Sequence, residues 1–125
     1  MIKGIGTDLV EIARIEHSLS RWGEKFAQRI LGADEMEDFS TARRQGHFLA
    51  KRFAAKEAAA KALGTGMRQG VHFRQISVAH HESGAPILVL TGRAREVAEM
   101  NGVEDRHLSI SDERDYALAF VVLSG

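Results

Sequence analysis

The sequence predicts an α+β domain, an antiparallel sheet packed with helices. Two observations carry this: strand-like segments cluster at the start, near residue 80 and at the end, and helix-like segments fill the stretches between them. No internal repeat, linker or low-complexity run divides the chain, so residues 1–125 are expected to form a single domain.

Residues 2–9 read as a strand, because Ile5, Thr7 and Leu9 alternate with Gly4, Gly6 and Asp8, and the glycines leave room for close backbone approach. Asp8 is expected where strand gives way to helix. From Val10 onward, Ile12, Ile15, Leu19, Trp22 and Phe26 recur every three or four residues, the pattern of an amphipathic helix that Gly23 bends or ends. Asp34 to Gln45 is polar and reads as a short helix plus loop. His47 to Leu63 is rich in Ala, Lys, Leu and Glu and stops at Gly64, a clear helix with a glycine end.

Ile76–His80 and Ile87–Leu90 flank Glu82-Ser83-Gly84-Ala85-Pro86 and read as a hairpin. Thr91 is placed to cap a helix that runs to about Met100 and ends at Asn101-Gly102. His107 to Ser111 alternates again, turns through Asp112 to Asp115, and returns as the apolar strand Tyr116–Leu123.

Composition narrows the chemistry. The 125 residues are 44% hydrophobic and 27% charged with a single Pro, a globular balance. Formal net charge is +0, so no global field draws in nucleic acid or an anionic membrane, and attraction to an acidic partner must come from a local patch. The chain has no Cys, which removes disulfides, thiolate metal sites and cysteine nucleophiles and agrees with a reducing compartment. The start, Met1-Ile2-Lys3-Gly4, lacks a basic region followed by an apolar stretch, and no apolar run reaches membrane-spanning length; a cytoplasmic protein is expected. The six His residues are scattered, so zinc is not expected.

Four groups of residues remain as candidates. Phe53, Glu57 and Lys61 lie four apart and share a helix face, where an exposed Glu57–Lys61 ion pair is the plain reading. Asp8-Leu9-Val10-Glu11 fits a capping box, the plain reading of Asp8. The same two carboxylates would also suit a hard cation such as Mg²⁺, which keeps several waters and takes further ligands from substrate phosphates. Gly64-Thr65-Gly66, with Arg52, Lys56 and Lys61, offers a cradle for anionic oxygens, although a helix end followed by a turn explains it equally. Arg14, His17, Arg21 and Lys25 fall at increments of three, four and four and form a basic stripe that is either a solvated face or a dock for an acidic helix. Exposure of Trp22 would favour docking, and its burial would favour core.

Three blocks together resemble the holo-acyl-carrier-protein synthases, a family of 4'-phosphopantetheinyl transferases. They are Gly4-Ile5-Gly6-Thr7-Asp8-Leu9-Val10-Glu11-Ile12, the run from Phe48 through Arg52-Phe53-Ala54-Ala55-Lys56-Glu57 to Gly64-Thr65-Gly66, and His107-Leu108-Ser109-Ile110-Ser111-Asp112 followed by Tyr116-Ala117. The resemblance implies that Asp8 and Glu57 ligate Mg²⁺ and that Arg52, Phe53, Lys61, Gly64, Thr65, Gly66, Gly84, Pro86, His107 and Ser109 surround coenzyme A. Gly84, Pro86, His107 and Ser109 would come from a neighbouring subunit of a homotrimer.

The implied reaction is attack of an acyl carrier protein serine on the β-phosphate of coenzyme A, with release of 3',5'-ADP. Lys61 and Arg52 would stabilise developing charge, and Glu57 through a metal-bound water, or else Asp8, would serve as base. The helix carrying Arg14, Arg21 and Trp22 would dock the carrier protein. Asp112 stands where such relatives often carry a His and receives no role. Three alternatives stay open at this point: a broad-specificity transferase for polyketide or peptide synthases, which resembles two fused copies of such a domain; a noncatalytic coenzyme A or nucleotide binding module; and an adaptor that uses the basic stripe alone.

Overall fold

Gly4 and Gly6 explain how the first strand meets the central helix. In the computed structural model, which describes residues 1–125, β1 spans Ile2–Glu11 and α4 spans Gln45–Leu63. A Cβ on Gly4 would run into the Ala62 carbonyl, and one on Gly6 into the Ala58 carbonyl. Only hydrogen at these two positions lets strand and helix backbones touch. The alanines of α4 complete the fit, for Ala54, Ala55, Ala58, Ala59, Ala60 and Ala62 are all buried.

Between these elements run α1 (Ile12–Trp22), α2 (Glu24–Ile30) and α3 (Ala33–Thr41). Gly23, at φ +62°, separates the first two, as the sequence predicted. The hairpin β2 (Ile76–His80) and β3 (Pro86–Leu90) follows a single 3-10 turn at Phe73–Gln75; α5 (Gly92–Met100) leads into β4 (Asp105–Asp112) and β5 (Tyr116–Ser124). The strands form an antiparallel three-stranded sheet in the order β1-β5-β4 and a separate antiparallel pair β2-β3. The predicted α+β class is therefore the observed one.

Three details differ from the sequence reading. β1 continues past Leu9 to Glu11 because β5 pairs with it along its length, Glu11 opposite Tyr116, and the Ile12 amide then donates to Asp115 O at 2.9 Å. Asp8 thus lies inside the ladder opposite Ala119, and no side chain caps α1, so the capping-box reading fails. Thr91 occupies the N-cap of α5, but its hydroxyl donates to Gln75 O; the amide of Ala94 is satisfied instead by Gln75 Oε1 at 3.1 Å.

The sheet is amphipathic in an unexpected direction. Its inner face, with Val10, Ala117, Ala119, Val121 and Leu123, packs on α4, while Ile5, Leu9, Leu118 and Phe120 stand exposed on the other face. Cross-strand register aligns these residues into an apolar patch, with Leu9 opposite Leu118 and Ile5 opposite Val122. No helix is long and apolar enough to cross a membrane.

Candidate active site

Asp8 is carried on the inner face of β1, two residues beyond Gly6, and α4 brings Glu57 and Lys61 to meet it. Lys61 Nζ donates to Asp8 Oδ1 at 3.0 Å and to Thr7 O at 2.9 Å. No ion pair joins Lys61 to Glu57, which removes the plain reading of that spacing. The other carboxylate oxygen, Asp8 Oδ2, is buried without any hydrogen-bond partner. Burial, and then the negative charge of Asp8, push the Glu57 carboxyl above the usual glutamate range, against a smaller opposing pull from Lys61.

A buried carboxylate oxygen normally finds a donor, and two neighbouring carboxylates served by one lysine carry surplus negative charge. A divalent cation would satisfy both features, so the donor set fits Mg²⁺. No group of three His, Cys, Asp or Glu side chains is assembled anywhere. Two protein carboxylates with the remaining positions left to water and phosphate oxygen suit Mg²⁺ better than a metal that demands a closed protein cage.

Asp8 opens on a cleft of about 330 Å³ walled by Arg14, Ile15 and Ser18 of α1, Phe26 of α2 and Phe53 of α4. The basic stripe is exposed along its length, Arg14, His17, Arg21 and Lys25 alike. Trp22 is 60% exposed, with the Arg21 guanidinium 5.0 Å from its ring centroid. Its exposure removes Trp22 from the core stripe the sequence suggested and leaves it on the outer surface beside the basic residues.

The coenzyme A candidates fall into separate places. Arg52, Gly84 and Pro86 line a second cavity of about 250 Å³, with Phe48, Lys51, His80 and Asp112 on its walls. Burial first, and then the charge of Arg52, hold the His80 ring below the usual histidine range. His107 and Ser109 lie on the exposed face of β4, and His107 Nε2 is 3.2 Å from Ser124 Oγ. Phe53 stacks on Phe73 at 5.4 Å.

At the end of α4, Gly64 and Gly66 have φ of +84° and +60°; their amides donate to Lys61 O and Ala60 O, and the Thr65 hydroxyl donates to Gly66 O. These two glycine amides close the helix rather than pointing to open space. Lys56, counted in the sequence as part of an anion cradle, is fully buried, with its donors spent on Ile30 O, Glu35 Oε1 and Phe73 O.

Glu35 is the residue that sequence reasoning missed. It is buried and forms ion pairs with both Arg52 and Lys56, yet it sits in the acidic run Asp34-Glu35-Met36-Glu37-Asp38, where nothing marks it from its solvated neighbours. The largest cleft, about 1300 Å³ between α2 and the β2-β3 hairpin, contains neither Asp8 nor Glu57 nor any of the coenzyme A candidates.

Paired carboxylates beside a lysine, on a strand and helix locked together by glycine and alanine, suit chemistry on phosphate groups. The model of the 4'-phosphopantetheinyl transferase superfamily matches residues 4–121, and the chain belongs to that superfamily. Within it, the chain is 57% identical to the holo-[acyl-carrier-protein] synthase of Vibrio cholerae serotype O1 (strain M66-2), over 98% of each chain. The crystal structure of the Neisseria meningitidis holo-[acyl-carrier-protein] synthase superposes with a TM-score of 0.93 at 46% identity and covers 100% of both chains. A Bacillus anthracis holo-(acyl-carrier-protein) synthase in complex with CoA (3',5'-ADP) matches at a TM-score of 0.82 and 40% identity, over 98% of this chain and 96% of that one.

Proposed function

We infer that this chain transfers 4'-phosphopantetheine from coenzyme A to a serine of apo acyl carrier protein and releases 3',5'-ADP. The observation that carries the reading is the unpartnered Asp8 Oδ2 beside Glu57, with Asp8 lining the same cleft as Arg14 of the basic helix. The match to enzymes of this activity over nearly the whole chain supports it. The proposed enzyme is a single domain over residues 1–125, in keeping with one hydrophobic cluster drawn from helices and sheets alike. Its proposed setting is the cytoplasm, in support of fatty acid biosynthesis.

Asp8 and Glu57 would hold Mg²⁺, which would supply positive charge to the pyrophosphate. Lys61, held between Thr7 O and Asp8, is within reach of the same site and supplies a second positive charge to the phosphoryl oxygens. The serine oxygen forms a bond to the β-phosphorus as the bond to the bridging oxygen of 3',5'-ADP breaks, and the serine proton must pass to a base. Glu57, acting through a water rather than directly, is the first candidate acceptor, with Asp8 second. Arg14 and Arg21, both exposed on α1, with Trp22 beside Arg21, receive an acidic carrier helix and bring its serine to the cleft.

The remaining coenzyme A groups support assembly as a homotrimer. Arg52 shares a cavity with Gly84 and Pro86 within one chain, so a neighbouring subunit that contributes those residues would contribute Arg52 with them. The exposed patch of Ile5, Leu9, Leu118 and Phe120, continuous with His107 and Ser109 on β4, is the surface such an interface would bury. Phe53 and the Gly64–Gly66 turn remain as walls toward coenzyme A.

Chromatography of the reaction with apo acyl carrier protein and Mg²⁺ tests the activity. One 3',5'-ADP should form per carrier serine modified; coenzyme A cleavage without carrier modification would contradict transfer.

A further inference from the structure

Glu35 accepts four hydrogen bonds while 2% exposed. Oε1 takes Lys56 Nζ at 2.6 Å and the Gly32 amide at 3.1 Å; Oε2 takes Arg52 Nη1 at 3.0 Å and the Val78 amide at 3.1 Å. A carboxylate bound from α4, β2 and the α2–α3 junction has no freedom to swing.

Its two cations are used differently. Lys56 spends its three donors inside the protein. Arg52 makes one protein hydrogen bond, through Nη1, and its guanidinium rests over the Phe48 ring at 4.4 Å as one wall of the cavity beside Lys51, Gly84 and Pro86. One carboxylate against two cations leaves a positive charge without a buried counter-ion, and Arg52 is the cation with donors to spare.

We propose that Glu35 is a positioning residue for substrate binding: it fixes the Arg52 guanidinium so that its free N–H donors hold the phosphate of coenzyme A that the Asp8–Glu57 pair does not face, the 3'-phosphate monoester. The proposal rests on the reading of coenzyme A as substrate. Arg52 and Glu57 are five residues apart on α4 and so project from different sides of the helix; in the proposed trimer each chain turns its Asp8–Glu57 pair to one coenzyme A and its Arg52, with Gly84 and Pro86, to the next. A planar guanidinium already locked in place forms its bonds to a phosphate with little further loss of side-chain freedom.

The test compares KM for coenzyme A and for 3'-dephospho-coenzyme A in the wild-type protein, Arg52→Ala, Glu35→Gln and the double variant Glu35→Gln with Lys56→Met. The double variant removes the second buried cation and keeps the protein folded if Glu35→Gln alone does not. Wild type is expected to favour coenzyme A, and Arg52→Ala to lose that preference. The folded Glu35 variants should lose it by roughly tenfold, the scale of one charge-assisted hydrogen bond, with the loss in KM rather than kcat.

Preference that survives in Arg52→Ala would overturn the assignment of this cavity to the 3'-phosphate, and the proposal with it. Preference lost in Arg52→Ala but intact in the folded Glu35 variants would leave the cavity assignment standing and reduce Glu35 to a purely structural role. Absence of transfer by the wild type with either substrate would instead remove the reading on which both rest.

Discussion

At the scale of single residues, the proposed mechanism rests on Asp8 and Glu57 because nothing in the protein neutralises both of them. Lys61 serves one oxygen of Asp8, leaving Oδ2 buried without a donor and Glu57 with a raised pKa. Glu57→Gln should therefore cut transfer by more than about 100-fold, beyond what loss of an outer hydrogen bond does, and abolish the Mg²⁺ response; an active variant with a normal metal titration would refute the ligand role. The raised pKa also fixes a sign. A carboxyl that binds its proton more tightly when folded stabilises the metal-free protein below its unfolded pKa, and this contribution is lost as pH rises through the raised folded value. Metal-free protein should thus lose stability on the alkaline side of the ordinary glutamate pKa, a slope that Glu57→Gln flattens and Mg²⁺ offsets, measured by thermal melts across pH. Spacing alone left Glu57 paired with Lys61 and Asp8 capping a helix. What decided otherwise was a tertiary contact, the approach of β1 to α4, which a linear pattern does not contain.

At the scale of elements, the β1–α4 contact holds the site together. Gly6→Ala would drive a methyl group into the Ala58 carbonyl, and since both partners are backbone neither can yield by a rotamer change. A loss of about 3 kcal/mol or more is expected in urea denaturation, with transfer falling further as Asp8 is pushed from Glu57. Most elements were legible in the sequence, including the Gly23 break and the Gly64 helix end, because glycine and periodicity act locally. The extension of β1 to Glu11 was not, since it depends on β5, more than a hundred residues further along the chain. Nor was the destination of Glu35, whose partners Arg52, Lys56 and Val78 come from other elements. On α1, if it docks the carrier as proposed, Arg14→Glu with Arg21→Glu should raise KM for the carrier protein by roughly tenfold or more, most strongly at low salt, while coenzyme A affinity survives. Unchanged carrier affinity would remove the docking role.

At the scale of the whole molecule, the alternation of β1 was legible but its direction was not: Ile5 and Leu9 face outward and the glycines inward, because α4 needs a bare backbone more than an apolar side chain. The outward face then aligns Leu9 with Leu118 and places Phe120 beside Thr7 and Ser109, a patch that the account assigns to neighbouring subunits. Phe120→Glu should convert a trimer to monomers in sedimentation velocity and lower activity with it; a trimer that persists would move the interface elsewhere. The central claim is metal-assisted transfer to a carrier serine, and the intact mass of apo acyl carrier protein incubated with the protein, coenzyme A and Mg²⁺ tests it most directly. The account predicts a gain of one phosphopantetheine that EDTA prevents and restored Mg²⁺ recovers; a competent carrier that is bound but never gains mass would contradict it.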